Sequence, residues 1–383
     1  MAGVVPSVSD ASGESALPPP IIDWALAERV ARWASGRTST PTTYRPAAMQ
    51  RDFDEMTARA EGLVAEATGL VVATPGRGRV IDRPAWVAAN IASFQRLLAP
   101  TLGKLAAHKP ASPRSAIAPG LSRQLAGVSR SVNGTQLALV LSWMSTRVLG
   151  QYDLLLTEGV DEENQDIVYF VGPNVAALEE RHGFDPAQFR LWLALHEVTH
   201  RAQFMGVPWL RSYFVSLVAA GLEPLGSDPH QMTDAIRRAA QEIRAGRSPM
   251  RDAGLVGLVA TDEQLAALQR IQALMSLLEG HGDVTMDRAG ADALPGAEQF
   301  SQVLQQRREQ VRGPAKLLQQ ILGLEAKLRQ YAEGEKFVRS VEQSGGRQLF
   351  DRVWQGPEWL PSLAEIRDPA IWVSRVKPTA LAG

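Results

Sequence analysis

The chain has 383 residues, a net charge of −1, 45% hydrophobic and 21% charged residues, and no cysteine. A near-neutral protein has no overall field to draw nucleic acid or an anionic membrane. Without thiols there are no disulfides, cysteine nucleophiles or cysteine-rich zinc ribbons, so His and carboxylate remain as metal ligands.

Residues 1–20, rich in Ser, Gly, Ala and Pro, read as a disordered lead-in, lacking the basic start and apolar centre of a signal peptide. Apolar runs such as Phe214–Leu222 are too short to span a bilayer. The expectation is a cytoplasmic protein with no membrane or nucleic-acid partner. Residues 21–112 form an N-terminal helical region. Its helices run over Ile21–Ala34, with Trp24 and Trp33 buried, and over Pro46–Thr68 and Pro84–Ala106. Between the last two, Val71–Ile81 holds a short strand and a solvated basic turn, Pro75-Gly76-Arg77-Gly78-Arg79-Val80. A phosphate-binding loop is disfavoured there, because no strand-loop-helix fingerprint accompanies it. His108–Pro113 reads as a linker, and residues 113–383 form the second region.

That region opens with a helical stretch, Leu121–Gly150. Gln151–Leu156 and Asp166–Val171 then read as the strands of a β-hairpin joined by the acidic loop Glu158–Gln165. The hairpin either offers an edge to an extended substrate backbone or packs as pure structure.

Next comes Leu195-His196-Glu197-Val198-Thr199-His200. Asp185 is a natural N-cap, Pro186 fits the first helical position, and Gly206 with Pro208 makes a stop. Within this helix His196 and His200 lie on one face and can offer two imidazole nitrogens to one ion, with Glu197 beside it as a proton acceptor. Phe189, Leu193, His196 and His200 share that face, which should point inward. A pair of hydrogen-bonded core histidines is the alternative.

Downstream, Trp209–Gly221 and Asp228–Gly246 read as helices, and Thr261-Asp262-Glu263-Gln264 begins a long one with a capping box, reaching about Arg288. Charged helices fill Ser301–Glu342, with acidic residues interleaved among the arginines, as on a solvated surface. The tail Trp354–Val376 wraps the body.

A catalytic zinc has three protein ligands and an open position. Gln203 and Gly206 stand where a metzincin needs Gly and His, so the third ligand lies elsewhere. Glu279 on the Thr261 helix is the candidate, with Asp283 four residues on as a hydrogen-bond acceptor for the second nitrogen of His196 or His200. H-E-x-x-H followed by E-x-x-x-D is the gluzincin arrangement. Gly280 and Gly282 each cost roughly 1 kcal/mol in a helix interior, which points to close approach of another element. His281 and His230 are rival ligands. His281 lies about 200° round the helix from Glu279.

The stretches Leu195–Phe204 (LHEVTHRAQF) and Met275–Asp287 (MSLLEGHGDVTMD) resemble a bacterial family of zincin-like hydrolases described as zinc-dependent metalloproteases. One subgroup is tied to biosynthesis of the deazaflavin coenzyme. Ile22-Asp23-Trp24, Trp354 with Pro357-Glu358-Trp359-Leu360-Pro361, and Trp372 with Arg375-Val376 extend the resemblance over most of the chain. It implies a predominantly helical α+β fold, zincin-like around a short β-hairpin beside the histidine helix. The expected activity is hydrolysis of a peptide or amide with Zn2+ on His196, His200 and Glu279 and Glu197 as general base. Tyr213, Tyr169 and His281 are candidates for a further oxyanion donor. The alternatives are a non-catalytic zincin-shaped binding protein, or a hydrolase of a small molecule in deazaflavin metabolism.

Overall fold

The computed structural model describes residues 22–107, 134–153, 166–221, 261–291, 293–309 and 324–380. The lead-in, the linker at 108–113, the acidic loop, the helix expected over Asp228–Gly246 and His230 lie outside the described residues, as does the first part of the 121–150 stretch.

In chain order the elements are α1 (Trp24–Gly36), α2 (Pro46–Thr68), β1 (Arg77–Ile81) and α3 (Arg83–Ala107). A helix over 134–145 (α4) follows, then β2 (Gly150–Tyr152), β3 (Ile167–Val171), α5 (Gly172–His182), α6 (Pro186–Gly206) and α7 (Leu210–Gly221). The last elements are α8 (Asp262–Gly290), α9 (Ala297–Glu309), α10 (Leu324–Phe350), two 3-10 turns, α11 (Leu363–Arg367) and α12 (Pro369–Ala380). Among the described residues no helix is long and apolar enough to cross a membrane. The architecture is the expected one, mostly helical with a short mixed sheet beside the histidine helix.

The histidine helix α6 is the axis of the main core. Asp185 caps it, its carboxylate accepting from the Gln188 N–H at 2.9 Å, and Pro186 occupies the first turn. The chain enters from α5 through Gly183, whose φ of 62° is a left-handed conformation that suits glycine. Leu191, Leu193, Ala194, Leu195 and Val198 are all buried, so apolar neighbours surround the helix on several sides. Helices α2 and α8 both pack against it. Met49, Phe53 and Val64 of α2 join Leu195 and Val198 in one cluster, so residues before and after the 108–113 segment share a core.

The sheet has the order β1-β3-β2. β2 and β3 pair antiparallel, as a hairpin would. All five residues of β3 are buried, as suits a central strand covered on both faces. The basic stretch differs from expectation: Arg77–Ile81 is itself a strand, parallel to β3 with Arg77 opposite Ile167, where the sequence reads as a turn. The cause is non-local. Gln50 of α2 acts as a surrogate strand, donating to the Gly78 carbonyl and accepting from the Val80 N–H, both at 2.8 Å. Trp33, expected to be buried, is 63% exposed, with the Arg37 guanidinium over its ring.

Helix α8 begins with both halves of the expected capping box: the Gln264 N–H donates to Thr261 Oγ1 and the Thr261 N–H to Gln264 Oε1. It continues unbroken through Gly280 and Gly282. At Gly280 it meets α10 backbone to backbone, where a Cβ would lie 2.1 Å from the Gly334 carbonyl carbon. A Cβ on Gly334 would in turn lie 1.9 Å from the Ser276 carbonyl oxygen. The close approach thus belongs to α10, not to the histidine helix. Gly282 instead faces the His200 ring at ordinary contact distance. The tail is ordered, as expected: Trp372 is buried in a second cluster with Phe337 and Val341, and its indole N–H donates to the Trp359 carbonyl at 2.8 Å.

Candidate metal centre

α6 and α8 bring three potential ligands together. His196 Nε2 and His200 Nε2 are 3.3 Å apart, His200 Nε2 and Glu279 Oε2 are 3.8 Å apart, and all three ligand atoms lie within 4.8 Å of one another. Tetrahedral zinc with bonds of about 2.0–2.1 Å separates its ligand atoms by roughly 3.3–3.4 Å. The cluster therefore has the right spacing and a borderline-soft nitrogen and oxygen donor set. His196 Nδ1 faces Met286 Sδ at 3.3 Å, and His200 Nδ1 faces Gln203 Oε1 at 2.9 Å. Both Nε2 atoms are thus directed inward with the carboxylate, an arrangement that favours a cation. Burial alone would lower the His200 pKa, but the Glu279 and Glu197 carboxylates, the Gln203 hydrogen bond and Asp283 raise it overall.

Glu197 sits one position round the helix and is 6% exposed. Its Oε2 accepts from the Tyr152 backbone N–H at 3.0 Å, which ties it to β2. Burial pushes its carboxyl up to about 7, with the Glu279 charge adding to the rise and His200 and the Tyr152 hydrogen bond opposing it. Gly150 makes room for this group, since a Cβ there would lie 2.6 Å from Glu197 Oε1. Side-chain alternation then places Gly150, Tyr152, Val168 and Phe170 on the sheet face towards α6.

The other assignments come out unevenly. Tyr169 points to the opposite face with Gln151, which pairs with Asn90 of α3, so it is no oxyanion donor for this cluster. Tyr213 packs edge-on against Trp209. His281 is buried away from the ligand cluster, stacked on Phe350, and its Nδ1 lies 2.9 Å from Gln203 Nε2. Burial, helped by Arg288, His200 and Arg347, pushes it down to about 3. It is neither the third ligand nor a donor into the cluster. Asp283 contributes its charge to His200, whose Nδ1 is met by Gln203 Oε1.

Sequence reasoning used Gln203 only to exclude a metzincin. Its spacing of three from His200 places it on the same buried face, and a polar residue there was the available signal. Gly150, Tyr152 and Met286 carried no such signal. Arg201 was also passed over. It is 1% exposed and secures the outer side of α6 through Asp166, Glu61 and the Thr74 carbonyl.

A family model described as zincin-like metallopeptidase matches residues 22–373. A crystal structure of a candidate hydrolase with a novel fold from Chloroflexus aurantiacus is similar, with 32% sequence identity and a TM-score of 0.66. The match covers 93% of this chain and 99% of that one. No curated protein matches.

Proposed function

The chain belongs to the family of zincin-like metallopeptidases, and on that premise we propose that it is a zinc-dependent peptidase of gluzincin type acting on a peptide or amide. The observation that carries this is the convergence of His196, His200 and Glu279 beside a buried Glu197. The three side chains would hold the ion and leave a position open, whereas a structural zinc site is closed by four protein ligands. When bound, zinc would supply a Lewis acid and lower the pKa of water from about 15.7 towards about 7.

The chain's own residues do the rest. Glu197 would take a proton from the attacking water on its carboxylate and return it to the leaving amine, and the Tyr152 N–H holds that carboxylate against β2. Asp153 N and Leu149 O bond to β3, so the intervening residues Gly150 and Tyr152 turn their backbone groups to the edge of β2 that no other described strand pairs with. An extended substrate would add to that edge at Gly150, beside the Tyr152 N–H that Glu197 already holds. The alternative, a small-molecule substrate of deazaflavin metabolism, gains no support from the family match, which points to no such subgroup.

The test combines metal analysis with turnover of an internally quenched fluorogenic peptide library. Wild type should hold about one zinc per chain and His196→Ala none. Glu197→Gln should keep the metal and lose activity by roughly 10²–10⁴, the usual contribution of a general base. A wild type that takes up no zinc, or a Glu197→Gln variant with unchanged turnover, would overturn the proposal.

A further inference from the structure

Gln203 is fully buried and touches three groups, and those contacts leave each proton one place to be. The Leu278 carbonyl can only accept a hydrogen bond. The end of the Gln203 side chain 2.9 Å from it is therefore the NH2 group. The same NH2 lies 2.9 Å from His281 Nδ1, so that nitrogen carries a lone pair and the ring proton sits on Nε2. The opposite end of the amide is then oxygen, 2.9 Å from His200 Nδ1, which must be the N–H. Reversing the amide would set its oxygen against the Leu278 carbonyl. The orientation is thus anchored by a backbone group.

We propose that Gln203, held in turn by His281, is a positioning residue that fixes His200 in its Nδ1–H tautomer, so that Nε2 presents a lone pair to the cation site. The need for such a device lies on the other side of the ring. His200 Nε2 faces the His196 nitrogen at 3.3 Å and the Glu279 carboxylate at 3.8 Å. The carboxylate is an acceptor, and so is the His196 nitrogen when that ring carries its proton on Nδ1 beside Met286; both then draw the His200 proton to Nε2, where it would block ligation. Gln203 opposes that pull from a position no water reaches. His281, stacked on Phe350 and edge-on to Trp354, cannot turn away without leaving its aromatic slot.

The use assigned to the lone pair rests on the metal reading above, but the tautomer is a property of the metal-free protein and is measured there. Two-bond 1H–15N correlation spectra of the full, metal-free chain, taken at alkaline pH with the rings neutral, should show His200 protonated on Nδ1 and His281 on Nε2. Gln203→Met, close in shape but without an acceptor, should shift His200 to Nε2–H or a mixture. It should also weaken zinc binding by roughly 10- to 100-fold, as removal of an outer hydrogen-bond partner typically does. His281→Phe, which keeps the ring stack, should weaken zinc binding in the same direction by a smaller factor. Wild-type His200 found as Nε2–H would overturn the inference, and that result needs no variant to fold. Unaltered zinc affinity in Gln203→Met would overturn it as well. A wild type that binds no zinc would sink the proposed function instead, with the tautomer spectra still deciding the relay.

Discussion

Replacing Glu197 with Gln should stabilise the metal-free protein above neutral pH. Burial raises the Glu197 carboxyl from 4.5 to about 7, despite the hydrogen bond it accepts from the Tyr152 N–H. Between those values the folded protein holds a proton that the unfolded chain has released, so stability falls as pH rises. The contribution of the neutral carboxyl is complete below about pH 4.5 and is lost as pH climbs through about 7. At about 1.36 kcal/mol per pH unit, the penalty for the buried anion reaches about 3 kcal/mol on the alkaline side. Gln has nearly the same shape, still offers Oε to the Tyr152 N–H, fits beside Gly150 and has no charge to bury. His200, whose pKa the Glu197 charge helps to raise in the wild type, is neutral in both proteins at the alkaline end and leaves the gap there unchanged. Urea unfolding of chelator-treated wild type and variant from acid to alkaline pH should give curves that meet at the acid end and separate by about 3 kcal/mol at the other. Zinc should shrink the gap, since a cation favours the anion. Parallel curves would refute the reasoning, as would a wild type that gains on the variant with rising pH.

Two further substitutions probe how the centre is held. Arg201→Ala removes a fully buried guanidinium from Asp166 and Glu61 and strands both carboxylates beside α6. It should cost about 3–5 kcal/mol by urea denaturation, as breaking a buried pair does, and a loss below about 1 kcal/mol would mean that water replaces it. Gly334→Ala places a methyl group against the Ser276 carbonyl and forces α8 away from α10. Overpacking of this kind costs about 1–3 kcal/mol or more, and displacing Glu279 should weaken zinc binding at least tenfold by competition titration. Unchanged zinc affinity would show that Glu279 does not depend on that crossing.

What the sequence made legible was local. The cap at Asp185, the capping box at Thr261 and the spacings that bring His196 under His200 and place Glu279 on a helix are all set within a few residues. Whatever depended on a distant partner was hidden. β1 read as a turn because Gly76, Gly78 and two arginines look solvated, and only Gln50 and β3 make that segment extended. The penalty at Gly280 correctly implied a close neighbour but gave no hint that it was Gly334, on a helix far along the chain. Trp33 follows the helical period of α1, yet among the described residues it stays 63% exposed.

The same division explains why the motif underdetermines the centre. H-E-x-x-H fixes two ligands and one carboxylate relative to one helix axis, but three directions remain to be set, each by a different element. The strand β2 sets the first: the Tyr152 N–H holds Glu197, and the missing Cβ of Gly150 lets the carboxylate lie against it. The α8–α10 crossing sets the second, because backbone contact at Gly280 and Gly334 leaves the adjacent Glu279 little freedom to move. The third is the rotation and proton position of the imidazoles, and here the two histidines differ. His196 stacks beside Trp192 and turns Nδ1 to the thioether of Met286, a weak and adaptable acceptor. His200 faces an amide whose orientation a backbone carbonyl dictates. Of the two rings, His200 also stands nearer the competing carboxylate, so its tautomer is the one that needs fixing. The polar residue that does so is placed on that face by the same helical period that aligns the histidines.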